Sequence, residues 1–134
     1  MTKAKGVYLL LIQVNMDIQV DVGALGTVNF EKGLYVYVGS AQNSLEKRIA
    51  RHFSRGKRKF WHIDYLLDNP AVEISEVFVK EVARQEECKI AKEIGKTNVP
   101  VNGFGASDCK CKSHLFKVGD LSFLRNLRVK QLRK

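Results

Sequence analysis

The sequence lacks the features that mark membrane-spanning, secreted and disordered proteins. Its longest apolar run, Val7 to Ile12, has the length of a strand and falls far short of the roughly 18 apolar residues that a membrane span needs. Hydrophobic residues make up 45% of the chain, which is enough for a folded core. Its first residues show neither the apolar stretch nor the cleavage site of a signal peptide, so we expect a cytoplasmic protein with no membrane partner.

Cysteine is scarce and odd in number. The three residues Cys88, Cys109 and Cys111 suit reduced thiols better than a disulfide framework. Cys109, Cys111 and His114 form a Cys-x-Cys-x-x-His pattern, and Cys88 or His62 could supply the fourth ligand of a zinc site. Zinc ligands normally come in two spaced pairs, so we favour buried thiols and a capping or phosphate-facing histidine.

Acidic residues are few, with 14 of them against 23 Lys and Arg, for a formal net charge of +9. The cations cluster between residues 46 and 59 and again after residue 110, and most acids lie between these zones. This arrangement indicates a face that follows phosphates, with DNA as the expected partner and RNA as an alternative. The competing interpretation is a solvated surface. The candidate nucleic-acid contacts are Lys47, Arg51, Arg55, Lys57, Arg58, Lys59, Arg128 and Lys130.

Apolar periodicity predicts an α+β fold in a single domain, residues 1–134, with a small mixed sheet flanked by helices. Strand-like segments are β-branched, aromatic or alternating. The predicted strands are residues 6–14, 18–22, 33–39, 72–79 and 115–118.

Helical segments follow from apolar stripes and capping residues. Asn43 is the predicted N-cap of a helix with a stripe at Leu45, Ile49 and Phe53. Further helices are predicted at residues 60–67 and 83–94, the latter with Gly95 at its C-cap. From Asp120 a basic amphipathic helix is predicted to run to the end, as a tail at about 119–134 beyond a core of about 5–118.

Two short motifs and a helix carry a family resemblance. Gly6-Val7-Tyr8 opens the first strand, Tyr37-Val38-Gly39 closes a later one, and Arg48 lies on the helix that follows, one turn before His52. At these residues the sequence resembles the GIY-YIG nuclease family, whose first helix carries an essential arginine at the place of Arg48. The resemblance extends from about residue 5 to about residue 117. It looks closest to a branch of small stand-alone proteins described as Uri-type endonucleases, through residues 61–67 and 103–109.

The chain departs from the family pattern in two places. Residues 9 to 36, 28 of them, separate the two motif tyrosines, which is a much longer spacing than usual. The segment Ile18 to Val22 and its turn predict an inserted hairpin there. Many members also carry a late asparagine, but here Asn102-Gly103-Phe104 is followed by Gly105, so that role is vacant or passes to Ser107 or Asp108.

A carboxylate on the third helix is the candidate metal ligand. Helical geometry places Glu87 within the apolar face of that helix and Glu86 at the edge of the face. A carboxylate on an apolar face is costly unless it is paired or bound to metal. The resemblance implies a metal-binding glutamate on this helix, which favours Glu87. The alternative is a buried Glu87 paired with an arginine such as Arg48.

Phosphodiester hydrolysis needs a deprotonated water and stabilisation of charge on the phosphoryl oxygens. A tyrosine becomes a base if a nearby cation lowers its pKa from about 10. Arginine matches phosphate with two donors, and one Glu can hold a single Mg²⁺ or Mn²⁺. We therefore expect a metal-dependent DNA endonuclease, either structure-selective or of low sequence specificity. The alternative is a non-catalytic nucleic-acid-binding module with the same fold. The catalytic set that the resemblance implies is Tyr8, Tyr37, Arg48, His52 and Glu87, with Glu87 as the metal ligand.

Overall fold

The structure is a computed structural model that describes residues 5–54, 58–59, 61–105 and 113–132. The strands in these ranges are β1 (Gly6–Val14), β2 (Ile18–Asp21), β3 (Thr27–Phe30), β4 (Gly33–Ala41), β5 (Val72–Lys80), β6 (Val99–Pro100), β7 (Leu115–Val118) and β8 (Lys130–Leu132). The helices are α1 (Leu45–Phe53), α2 (His62–Leu67), α3 (Glu86–Gly95) and α4 (Phe123–Leu127). No helix within the described ranges is long and apolar enough to cross a membrane.

Six strands form one sheet in the order β6-β7-β4-β1-β5-β8. Every strand pair in this sheet is antiparallel. The predicted α+β class is confirmed, but the prediction of a mixed sheet is wrong. The helical connection from β4 to β5 leaves those two strands parallel to each other, and β1 lies between them, so they are not neighbours.

Two cores lie on opposite faces of the sheet because side chains alternate along β1. Tyr8 and Leu10 point into the first core, which α1, α2 and the β2–β3 hairpin cover. Val7, Leu9 and Leu11 point into the second core, which α3 and α4 cover. Both faces of β1 are therefore buried, which explains its nearly unbroken apolar run.

The predicted inserted hairpin is present between the two half-motifs, Gly6-Val7-Tyr8 and Tyr37-Val38-Gly39. β2 and β3 pair with each other as a separate two-stranded sheet, and a 3-10 turn at Gly23–Leu25 joins them. Val20, Val22 and Phe30 anchor this hairpin in the first core. The insertion therefore leaves the half-motif strands β1 and β4 paired along their full length.

Helix boundaries differ from prediction in two places. Ser44 is the N-cap of α1, and its Oγ accepts the Lys47 backbone N–H at 3.2 Å, where we predicted Asn43. Serine and asparagine cap helices about equally well, so the sequence does not choose between them. α3 begins at Glu86, inside the predicted range, and Gly95 is its last helical residue rather than its cap.

The C-terminal helix predicted from Asp120 to the end is wrong. Asp120 accepts hydrogen bonds within a turn, and the short α4 ends at Arg128, which has left-handed backbone angles. Phe123 and Leu127 of α4 pack into the second core. The chain then forms β8, which pairs with β5 and satisfies backbone groups that an edge strand would leave unpaired.

Candidate active site

The side chains of Tyr8, Tyr37, Arg48 and Glu87 line one cavity of about 300 Å³. The sequence predicted that these four residues converge, and the structure brings them together. Tyr8 and Tyr37 come from neighbouring strands, with ring centroids 6.5 Å apart. The cavity lining also includes Gly39, Ser40, Trp61, His62, Arg84 and Gly105.

The cavity forms where β7 leaves β4. Their pairing ends at Tyr37 opposite Leu115, with one further hydrogen bond from the Val38 N–H to the His114 carbonyl at 2.8 Å. Beyond that point no described strand pairs with this edge of β4. Side chains from the first core and from α3 line one cavity there, beside Gly39 and Ser40.

Tyr8 forms a buried pair with His52. The Tyr8 hydroxyl lies 2.6 Å from His52 Nε2, and the two rings are tilted with centroids 5.3 Å apart. His52 is 2% exposed and lies behind Tyr8, on the buried side of α1. The predicted site residue His52 is thus next to the tyrosine hydroxyl, where it can exchange a proton with it.

The electrostatic environment opposes ionisation of both tyrosines. Burial raises the pKa of Tyr8, and the charge and hydrogen bond of Arg48 lower it only in part. Burial also raises the pKa of Tyr37 well above its ordinary value, helped by Tyr8 and the negative charge of Glu87. Arg48 alone therefore does not make either tyrosine readily ionisable, because burial outweighs its effect on the pKa.

Arg48 extends from α1 across the end of β4. Its Nη1 donates to the Ser40 carbonyl at 3.1 Å, and its guanidinium carbon lies 4.6 Å from the Trp61 ring centroid. These contacts fix the planar guanidinium at the wall of the cavity. An arginine held in this way retains other N–H donors for a bound phosphate.

Glu87 faces the cavity from the first turn of α3 and is held by a hydrogen bond from Ser40 and by a close contact with His114. Ser40 Oγ donates to Glu87 Oε1 at 2.6 Å, and His114 Nδ1 lies 2.9 Å from Glu87 Oε2. Glu86 instead pairs with Lys89, as the helical-face argument expected. The partners of Glu87 are Ser40 and His114, so the alternative pairing with an arginine such as Arg48 is wrong.

The pKa of Glu87 lies below its ordinary value. Burial, the largest single influence, would raise the pKa of this carboxyl group, but the contacts with His114 and Ser40 and the nearby positive charges together outweigh it. The positive charges of His114 and Arg84 add to the lowering. Glu87 is therefore a stable carboxylate at neutral pH, which is the form that binds a divalent cation.

The chemistry of Glu87 fits one hard cation. Each carboxylate oxygen has about two acceptor sites, and the structure uses one on each oxygen. Mg²⁺ tolerates a single protein carboxylate because it keeps several waters. Within the described ranges no group of three or more His, Cys, Asp or Glu side chains is placed to share a metal ion.

Only some of the predicted zinc ligands lie within the described residues. Cys109 and Cys111 lie outside the described residues, as do Ser107 and Asp108. His114 is buried and lies against Glu87, so it acts as a partner of the carboxylate. That contact accounts for the position of His114 without a zinc ion.

The sequence-based prediction gave no role in catalysis or nucleic-acid binding to four side chains of the cavity lining, which are those of Ser40, Trp61, His62 and Arg84. His62 Nδ1 accepts the Gly105 N–H at 2.9 Å, and burial lowers the pKa of this imidazole. Arg84 lies in the turn before α3. The sequence predicted a helix that includes His62. It could not predict the contact of His62 with Gly105, which lies 43 positions further along the chain.

The basic residues around α1 do not share one role. Arg51 donates to both oxygens of the fully buried Asp64, at 2.8 and 3.0 Å, and to the Arg58 carbonyl. It is better explained as the cation that holds α1 to α2 than as a phosphate contact. Lys59 lies 3.3 Å from Asp68, whereas Lys47 is exposed on α1. Two further candidates of this zone, Arg55 and Lys57, lie outside the described residues.

The basic residues near the C-terminus, Arg128 and Lys130, are both exposed. Lys130 is opposite Val79 on β5, and Val79 is opposite Tyr8 on β1. Directly opposed residues share a face of the sheet, so Lys130 stands on the face of Tyr8, about 10 Å away across two strand spacings.

The chain belongs to a family described as "Domain of unknown function DUF123", whose model matches residues 7–134. No curated protein and no solved structure matches the chain. The family description assigns no activity, so any statement of function has to come from the site.

Proposed function

We propose that this protein is a metal-dependent endonuclease of the GIY-YIG type that hydrolyses phosphodiester bonds in DNA. One observation carries the proposal: the Tyr8–His52 pair, Arg48 and Glu87 meet at a single cavity, although they come from three separate elements. This set combines a proton acceptor, a phosphate-binding cation and a carboxylate for a metal ion. We also propose a cytoplasmic location, because three cysteines, an odd number, suit reduced thiols better than a disulfide framework.

Arg48 binds the scissile phosphate in this account. Its guanidinium is held by the Ser40 carbonyl and by the Trp61 ring, so it loses little freedom when a ligand arrives. Charge develops on the phosphoryl oxygens as water attacks, and a fixed cation stabilises that charge without rearrangement. Truncating Arg48 removes both binding and this stabilisation.

The Tyr8–His52 pair removes the proton from the attacking water. Tyr8 accepts this proton at its hydroxyl oxygen while its own proton passes to His52 Nε2, 2.6 Å away. The new bond joins the water oxygen to phosphorus, and the bond from phosphorus to the leaving oxygen breaks. No buried phenolate accumulates in this scheme, which agrees with the raised pKa of Tyr8.

Glu87 is the residue that would hold a divalent cation, Mg²⁺ or Mn²⁺. Such an ion, when bound, would supply positive charge that stabilises the phosphoryl and leaving oxygens. Ser40 and His114 fix the orientation of the carboxylate and keep it ionised. The protein thus presents one preformed oxygen ligand beside the cation of Arg48.

His62 supplies a neutral hydrogen-bond donor. Its Nδ1 accepts the Gly105 N–H, so the proton of the neutral ring is on Nε2. Burial lowers the pKa of His62, which favours this neutral form. The Nε2–H of this cavity-lining ring is therefore available to a phosphoryl oxygen.

The test is incubation of the purified protein with flapped, branched and linear DNA, with and without Mg²⁺ or Mn²⁺. We expect cleavage only with the metal, and loss of roughly 10²–10⁴-fold in rate in Arg48→Gln and Tyr8→Phe. Lys92→Gln is the control, because Lys92 is exposed on α3, does not line the cavity and is not a candidate nucleic-acid contact. Cleavage by Arg48→Gln at the unmodified rate rules out this assignment.

The second candidate is a non-catalytic module that binds DNA or RNA with the same face. The raised pKa values of Tyr8 and Tyr37 favour it, since neither tyrosine ionises readily. This candidate predicts binding without cleavage on every substrate, with or without metal. It also predicts that Tyr8→Phe leaves nucleic-acid binding unchanged, and the cleavage assay separates the two candidates.

A further inference from the structure

We propose that the cavity accepts an unpaired DNA strand, with Trp61 stacking on an exposed base and Arg84 binding a second phosphate. The inference rests on the proposed nuclease function, because it names the substrate class of the same site. It gives binding roles to Trp61 and Arg84, which the catalytic scheme leaves without one.

Trp61 offers an aromatic surface at the rim of the cavity. It is 37% exposed, although large hydrophobic side chains are usually buried. Its contacts with Arg48, Arg51 and His52 come from one side of α1, with the two guanidinium carbons 4.6 and 4.3 Å from its ring centroid. α1 therefore packs against the ring from one side of the helix, and more than a third of the Trp61 side chain stays exposed beside the cavity.

A base fits this surface only when it has left a duplex. Bases in a double helix stack on each other and present their edges, whereas an unpaired base presents a face that an aromatic ring can cover. Trp61 lines the same cavity as Arg48, so the stacked base belongs to a nucleotide next to the scissile phosphate. Stacking of this kind tolerates any sequence because every base has such a face.

The size of the cavity also favours an unpaired strand. About 300 Å³ is at the lower end of the range for small-ligand sites, which suits a single nucleotide unit. Tyr8 is buried and Glu87 is partly buried in its walls, so the reacting phosphate has to enter the cavity. An extended single strand can insert one phosphate in this way more easily than a stacked duplex.

Arg84 supplies a second cation on another wall. It precedes α3, whereas Arg48 belongs to α1, so the two guanidinium groups enter the cavity from different elements. The charge of Arg84 reaches Glu87, which places it on the metal side of the cavity. Two cations on different walls match two successive phosphates of one strand.

The single tryptophan of the chain makes the inference measurable, because intrinsic tryptophan fluorescence then reports on Trp61 alone. The unmodified protein is titrated with a single-stranded oligothymidylate in EDTA, which prevents metal-dependent cleavage. The comparison is the same strand annealed to its complement. We expect saturable quenching by the single strand and binding at least about fivefold weaker, with little quenching, for the duplex.

Variants separate stacking from general electrostatic attraction, with affinity measured by anisotropy of a labelled single strand. Trp61→Leu should weaken binding by roughly 5- to 100-fold, and Trp61→Phe should restore most of it. Arg84→Gln should reduce the slope of log affinity against log salt by about 0.7. Lys92→Gln, an equal charge change at an exposed position of α3, should leave the slope unchanged. Thermal melting checks that each variant is folded.

Equal quenching and affinity for single strand and duplex would overturn the inference, as would an unchanged affinity in folded Trp61→Leu. Absence of binding to either form would overturn it as well. Because these titrations contain no metal ion, they are independent of cleavage. Strand-selective quenching without cleavage in Mg²⁺ would support the binding inference and refute the nuclease.

Discussion

At the scale of single residues, close approach explains both half-motif glycines. A Cβ on Gly6 would lie 2.3 Å from the Lys80 carbonyl oxygen of the neighbouring strand. A Cβ on Gly39 would lie 2.4 Å from the Tyr8 ring. The second glycine therefore makes room for the tyrosine of the first half-motif, which is a physical reason for the two motifs to occur together.

Gly39→Ala should displace the Tyr8 ring and disturb its hydrogen bond with His52. Overpacking of this kind costs about 1–3 kcal/mol of unfolding free energy, and misplacement of a reacting group costs roughly 100-fold in rate. Denaturant unfolding and single-turnover cleavage measure the two effects. Gly119→Ala is the control, because a Cβ there meets no atom within 4 Å. Equal behaviour of the two variants would contradict the packing argument.

The carboxyl group of Glu87 should make stability depend on pH. Burial opposes its ionisation, but His114, Ser40 and Arg84 leave its pKa below the ordinary 4.5. The ionised form therefore stabilises the fold above that value, and this contribution is lost as pH falls below it. We expect the stability advantage of the unmodified protein over Glu87→Gln to shrink between pH 5 and the acid limit, in urea unfolding at several pH values. An advantage that is constant across this range would contradict the assignment.

At the scale of elements, α1 and α2 are joined by a buried ion pair. Asp64 of α2 is fully buried and accepts both Arg51 and the Trp61 N–H, the latter at 3.0 Å. This pair fixes α2 against α1, and with it the start of α2, where Trp61 and His62 line the cavity. The ion pair thus positions part of the site without facing it.

Arg51→Gln should destabilise the protein by on the order of 3 kcal/mol, because it leaves the buried Asp64 carboxylate without its cation. Lys47→Gln removes the same charge from an exposed position of the same helix and should change stability by less than about 0.5 kcal/mol. Chemical denaturation of both variants is the measurement. A stable Arg51→Gln with weakened DNA binding would restore the original interpretation of Arg51 as a phosphate contact.

The C-terminal elements show why sequence periodicity failed there. Leu121 and Leu124 pack against the second core, as one face of an amphipathic helix would, but Leu132 is 39% exposed in β8. A helix that runs to the end of the chain would have to pack along one surface of the domain. The last residues instead pair as a strand with the open edge of β5. Strand pairing at a sheet edge is made by backbone N–H and C=O groups, which every residue but proline carries, so the side-chain sequence does not reveal it.

The position of Lys130 in β8 predicts a contact with a DNA phosphate. It stands on the Tyr8 face of the sheet, so Lys130→Gln should reduce the salt slope for duplex DNA by about 0.9, the contribution of one phosphate. Lys92→Gln on α3, which covers the opposite face, should leave the slope unaltered. Binding at several salt concentrations decides the matter, and equal slopes for both variants would make Lys130 a solvated side chain.

At the scale of the whole molecule, the sequence predicted local elements and the direction of side chains better than contacts between distant segments. The apolar strands β1 and β4 and the cavity-facing position of Glu87 followed from periodicity. The hydrogen bond from Tyr8 to His52 spans 44 positions, and the contact of Glu87 with His114 depends on where β7 ends. Such contacts arise from packing of the entire sheet, and no local pattern specifies them.

The central claim is that one cavity holds both the proton acceptor and the metal ligand of a nuclease. Its most direct test is single-turnover cleavage of DNA at saturating protein over a series of Mg²⁺ concentrations, comparing Glu87→Gln with Glu86→Gln. Glu87 lines the cavity, whereas Glu86 pairs with Lys89 one helical turn away. We predict that Glu87→Gln binds DNA but loses metal-dependent cleavage, and that Glu86→Gln cleaves at the unmodified rate. Metal-dependent cleavage that persists in Glu87→Gln would contradict the account.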